Sequence, residues 1–118
     1  FPKLRVVAAH AGIAEWKTCL MLMLKNKNLW ANTDGLAAGY IPPEEYVLMV
    51  KNAKALGILN KLMWGTDNVD HRLDLPLAKS LPELGRKHNI GPTMPDITQE
   101  DMDLFLGHNA ARLFNIKI

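Results

Sequence analysis

The stretch LRVVAAHAG, residues 4–12, decides how the rest of the chain is read. Leu4, Val6, Val7, Ala8 and Ala9 form a short, mostly apolar, β-branched run, and His10-Ala11-Gly12 stops it. That pattern predicts a buried strand over residues 4–9 followed by a turn. Two later runs repeat the arrangement. LWANTDG, residues 29–35, reads as a strand over 29–33 stopped by Asp34-Gly35, and ILNKLMWGTD, residues 58–67, as a strand over 58–64 stopped by Gly65-Thr66-Asp67.

The segments between these runs read as helices. Residues 13–25 contain neither Gly nor Pro and place Trp16, Leu20, Met23 and Leu24 at helical spacing. After a loop over residues 36–42, Pro43 suits a first helical position, and Glu44 and Glu45 favour the positive end of the helix dipole. Tyr46, Val47, Val50, Ala53 and Leu56 continue on one face, and Gly57 fits the position just past the helix end. Strands alternating with helices signal an α/β chain with a parallel sheet covered on both faces. Beyond Asp67 the sequence predicts a long polar loop, a helix over residues 77–87 and a Pro- and Gly-bearing stretch over 89–96. The end is a C-terminal helical segment, opened by the N-cap signal Thr98-Gln99-Glu100-Asp101 and given an apolar face by Met102, Leu104, Phe105, Leu113 and Phe114.

Composition narrows the function classes. The 118 residues suit one domain, and 14 Lys+Arg against 12 Asp+Glu leave a formal charge of only +2. Signs this evenly balanced argue against nucleic-acid binding and against a basic membrane-surface helix. The longest apolar run, residues 19–24, falls far short of the roughly 20 residues of a membrane span, and Phe1-Pro2-Lys3 does not open a signal peptide. The chain therefore reads as soluble and cytoplasmic. Its single cysteine, Cys19, cannot form an internal disulfide and sits in a helical pattern, which leans towards a reducing compartment.

Each predicted strand ends in a polar residue: His10, then Asp34, then Asp67. In parallel α/β proteins ligands bind at the carboxyl ends of the strands, so these side chains are expected on one rim. Imidazole and carboxylate together suit zinc, manganese or iron, and a carboxylate beside a metal-bound water can take its proton. Each residue also has a structural reading: His10 as a hydrogen-bonded turn histidine, Asp34 as a turn residue, Asp67 as a helix or loop cap. His71 could reach the same rim or be solvated in its loop. His88 and His108 read as surface residues, while Trp16, Trp30, Trp64, Met21, Met23 and Met49 read as packing. The sequence has no phosphate-binding loop, nucleophile elbow or dinucleotide fingerprint.

Four blocks in this order, FPKLRVVAAHAG, NLWANTDG, LMWGTDN and LGHNAARLFNI, resemble the C-terminal portion of the amidohydrolase-related (amidohydrolase 2) family of metal-dependent hydrolases and decarboxylases. The resemblance spans nearly the whole chain, and Gly107, Asn109, Ala110, Arg112 and Leu113 follow the family's usual ending. It implies a (β/α)8 barrel with a divalent metal, zinc first and manganese or iron as alternatives. His10 is implied as a metal ligand and Asp67 as a ligand that also moves a proton; Asp34 and His71, on or near the same rim, are the candidate substrate contacts. The family's first-strand H-x-H pair has no counterpart here, no histidine lies between Ala11 and Thr66, and Asn68-Val69 replace the aromatic-proline step after the final Asp. Since such a barrel takes roughly 250 residues, residues 1–118 are expected to be the last part of one, with the H-x-H strand before residue 1. Two protein ligands do not hold a catalytic metal, so a third is expected from Asp34 or from an upstream residue.

The implied activity is metal-assisted hydrolysis of a small organic substrate, with decarboxylation of a small aromatic or unsaturated carboxylic acid as the alternative. A third reading is a truncated, non-catalytic chain. Its unpaired parallel edge strands would then join another polypeptide, as in a homo-oligomer.

Overall fold

A computed structural model describes residues 1–36, 38–67 and 70–118. Ala37, Asn68 and Val69 lie outside the described residues, so the replaced aromatic-proline step is among them. Three parallel strands form one open sheet in the order β1 (Val6–Ala8), β2 (Leu29–Asn32), β3 (Leu62–Met63). The register pairs Val7 with Trp30, Ala8 with Ala31 and Ala31 with Leu62, which puts Ala31 at the fully buried centre. Helices alternate with these strands, and a C-terminal helical segment follows. This is the architecture of part of a (β/α) barrel.

Helix α1 (Trp16–Lys25) joins β1 to β2 and buries Trp16, Cys19, Leu20 and Met23, an i, i+3, i+4, i+7 stripe. Met21 and Leu24, expected in the packing, lie outside that stripe and are exposed. At the helix end, Lys61 Nζ donates to the carbonyls of Met23 and Asn26, both at 2.7 Å, so a cation meets the negative end of the dipole. Helix α2 (Pro43–Ala55) starts at its proline as expected and buries Tyr46, Val47, Met49, Val50 and Ala53. Gly57, at φ +72°, ends it: its N–H reaches the Lys54 carbonyl and that of Ile58 reaches Ala53, the paired bonds of a Schellman motif.

Three expectations are corrected. The first strand covers 6–8 rather than 4–9, and Val6 is 45% exposed because β1 is an edge strand rather than a buried one. The third run is a 3-10 turn, Leu59–Lys61, followed by only two strand residues. Besides its short pairing with β2, its backbone groups pair with the C-terminal segment: Asn109 Nδ2 donates to the carbonyls of Leu59 and Leu62, and the Trp64 N–H donates to the Phe105 carbonyl. The third correction is the polar loop. Helix α3 (His71–Lys87) begins six residues earlier than expected because Asp70 caps it, accepting from the Arg72 N–H at 2.9 Å. Pro76 and Pro82 lie inside this helix, which survives because Asp74, Ala78, Leu81 and Gly85 pack on the core.

The C-terminal segment is one continuous run of right-handed helical residues in three parts: α4 (Gln99–Asp103), a π turn (Leu104–His108) and α5 (Asn109–Phe114). A capping box opens it, with Thr98 and Asp101 satisfying each other's backbone N–H groups. Met102 and Phe105 close the core from this side, and Arg5 ties α5 to the start of β1 through the Leu113 carbonyl. Among the described residues no helix is long and apolar enough to cross a membrane.

Candidate metal centre

All three strands deliver a side chain to the same rim. His10 follows β1, Asp34 follows β2 and Asp67 follows β3, and one ligand atom from each lies within 4.8 Å of the others. His10 Nδ1 stands 3.4 Å from Asp34 Oδ1.

The chain reaches this geometry through unusual backbone. His10, Ala11, Gly12 and Ile13 have φ of +54°, +46°, +74° and +51°, and Asp67 has +49°. Left-handed conformations cost an L-residue roughly 1–2 kcal/mol each, most for a β-branched residue such as Ile13. This tight turn replaces the first three residues of the predicted helix, so α1 begins at Trp16 rather than at 13. The turn is held across the sheet: the His10 N–H is shared between Asn32 Oδ1 at 2.9 Å and Asp34 Oδ1 at 3.2 Å.

Two contributors were not foreseen from sequence. Asn32, the last residue of β2, holds the His10 backbone. Tyr40, from the loop after β2, donates its hydroxyl to Asp67 Oδ2 at 2.9 Å and sets its ring edge-on to His10, with centroids 5.4 Å apart. The hydrogen bond to the Asp67 carboxylate, with that carboxylate's charge, raises the Tyr40 phenol above its ordinary value. Gly35 makes room for the ring, since a Cβ built there would lie 2.4 Å from Tyr40 Cε2. The only signal in the sequence was position, an aromatic in a loop leaving the carboxyl end of a strand.

Deeper in, burial first, then the charges of Asp74 and Asp34, push the Tyr46 phenol up to about 12. Trp64, read as packing, is half-buried and also donates its indole N–H to the buried Asp74 at 2.6 Å. His71 does not join the trio; it sits exposed in the first turn of α3, 3.8 Å from Asp70. His88 and His108 are exposed, and Cys19 is buried, which pushes its thiol pKa up.

The trio fits a divalent cation. Ligands about 2.0–2.1 Å from a tetrahedral zinc stand roughly 3.3 Å apart, close to the His10–Asp34 separation. Among the described residues His10 Nδ1, which is buried, has no hydrogen-bond partner, a costly state for an imidazole nitrogen unless something else occupies it. Asp34 supplies the third donor that sequence reasoning required.

Comparison with known proteins agrees with this geometry. The sequence profile described as amidohydrolase (the amidohydrolase 2 group) matches residues 1–116. No curated protein and no solved structure matches the chain. With a parallel sheet, a His/Asp/Asp cluster able to bind a metal at its carboxyl edge and a profile match along nearly its full length, the chain belongs to the amidohydrolase family.

Proposed function

We propose that this chain carries the working rim of a metal-dependent hydrolase acting on a small organic substrate, with residues 1–118 forming one part of a (β/α)8 barrel domain. The observation that carries the proposal is the convergence of His10, Asp34 and Asp67 from three successive strand ends. His10 Nδ1, Asp34 and Asp67 are the metal ligands, with zinc favoured over manganese or iron by the mixed nitrogen and oxygen donors. When bound, the ion supplies Lewis acidity and lowers the pKa of a water towards roughly 7. The residues do the rest. Asp67 takes the proton, Tyr40 fixes which way that carboxylate faces, and Asn32 fixes the His10 backbone. The reading places His71 outside the site and Asp34 among the ligands rather than the substrate contacts.

A second role for His10 is favoured by its 3.4 Å approach to Asp34. In that role Asp34 orients the imidazole through Nδ1, and Nε2 faces substrate as the proton-handling group. Zinc titration calorimetry on the full chain separates the two. Under the ligand reading, Asp67→Asn and His10→Asn each weaken zinc binding by at least about tenfold, as losing one of three donors requires. Zinc affinity unchanged in His10→Asn but lost in Asp67→Asn assigns His10 to proton transfer. Affinity unchanged in both variants refutes the metal centre.

A further inference from the structure

The strand starts are as polarised as the strand ends, with the opposite sign. Arg5 immediately precedes β1, Lys27 lies two residues before β2, and Lys61 immediately precedes β3. With Arg112 of α5 they line one pocket of about 350 Å³ that also includes Trp30 and Asn109. Four cations and no carboxylate line it, in a chain whose overall charge is only +2.

We infer that this pocket binds a small phosphate-type oxyanion, free or as a phosphomonoester, at the end of the sheet opposite the metal centre. Two of the cations are held in place by backbone. Arg5 donates to the Leu113 carbonyl, and Lys61 is fixed by the carbonyls of Met23 and Asn26 with its ammonium 5.6 Å from the Trp30 ring. Among the described residues neither is neutralised by a carboxylate, and burial lowers the pKa of Lys61. The other two, Lys27 and Arg112, are exposed and form no hydrogen bond or ion pair among the described residues, so both can close on an anion with charge-assisted bonds.

Asn109 lines the same pocket, and its Nδ2 is fixed by the Leu59 and Leu62 carbonyls, so it forms a rigid neutral wall beside the cations.

The test is titration of the full chain with inorganic phosphate at constant ionic strength, read from the Trp30 indole NMR resonance, which Trp30→Phe identifies. Saturable shifts are expected, and an equal concentration of chloride should not produce them. The Lys27→Ala/Arg112→Ala variant should bind about tenfold more weakly, whereas Lys79→Ala/Arg86→Ala, the same charge loss elsewhere, should leave binding unchanged. Methyl phosphate separates the sources: binding at least as tight as free phosphate assigns a phosphomonoester, and weaker binding assigns the free ion. A shift that never saturates, an equal shift with chloride, or equal weakening in both double variants overturns the assignment.

Discussion

Replacing Asn109 tests how the C-terminal segment holds the third strand. The residue is 2% exposed, and its Nδ2 donates at 2.7 Å and 2.8 Å to the carbonyls of Leu59 and Leu62, on either side of the point where the 3-10 turn becomes β3. Each bond contributes about 1 kcal/mol net, and a buried carbonyl left without its donor costs about 1–3 kcal/mol. The Leu59 carbonyl keeps a second partner in the Leu62 N–H, so the full penalty falls only on Leu62. Asn109→Ala should therefore lose roughly 2–4 kcal/mol in urea or guanidinium unfolding at neutral pH. Asn109→Asp has nearly the same shape but presents a carboxylate oxygen to two carbonyl oxygens. It should cost more than the alanine at neutral pH. Its folded pKa is raised, so its stability is greatest below the unfolded value near 3.9 and falls as pH rises above it. The gap to wild type should be small in acid and widen towards neutrality. A gap that does not change with pH, or an aspartate variant as stable as wild type at pH 7, refutes the argument that two donors are what this position supplies.

Two further predictions concern titration. Burial raises the pKa of Asp101, but hydrogen bonds from Lys54 and from Thr98 outweigh it and hold the carboxyl below its usual range. Its contribution is present above the unfolded value near 3.9 and lost as pH falls through the lower folded value. Asp101→Asn should thus cost about 1–2 kcal/mol at pH 7 and nothing once wild type is protonated, read by denaturation at a series of acid pH values. In the alkaline range the phenolate absorbance of wild type should rise in two steps, Tyr40 somewhat above its ordinary value and Tyr46 at about 12. Asp67→Asn should move only the first step down. Because the folded Tyr46 value exceeds an unfolded value of about 10, its stability contribution falls between pH 10 and pH 12. Tyr46→Phe should remove up to about 3 kcal/mol of that loss.

The legible parts of the sequence were those where one local signal decides the structure. Pro43 and Gly57 bracket α2 because one residue begins a helix at no hydrogen-bond cost and the other accepts a positive φ, and Thr98 with Asp101 forms the cap that their spacing promised. The strand ends were legible because apolar runs stopped at His10, Asp34 and Asp67. Tertiary partners defeated the remaining expectations. The run at 58–64 has the composition of a strand, yet Asn109 and Phe105 take its backbone groups from some 40–50 residues away. The polar residues after Asp67 suggested a loop up to residue 76, but Asp70 starts the helix within that stretch and Asp74 anchors it to Trp64. Tyr40 and Asn32 carried no pattern of their own, because their roles exist only once β1 and β2 are side by side.

The same pairing explains why the site sits on strained backbone. Strands as short as three, four and two residues fix little beyond their own direction, so side chains at their ends need a second constraint to converge within 4.8 Å. The left-handed run at residues 10–13 turns His10 back over the sheet, and the bonds from its N–H to Asn32 and Asp34 hold it there. Removing the Asn32 amide therefore loosens the turn before it touches any ligand atom. Asn32 positions the imidazole without being one of the three donors, while Asp34 both holds the turn and belongs to the donor set, so three partly buried strand ends can present a defined set of ligand atoms.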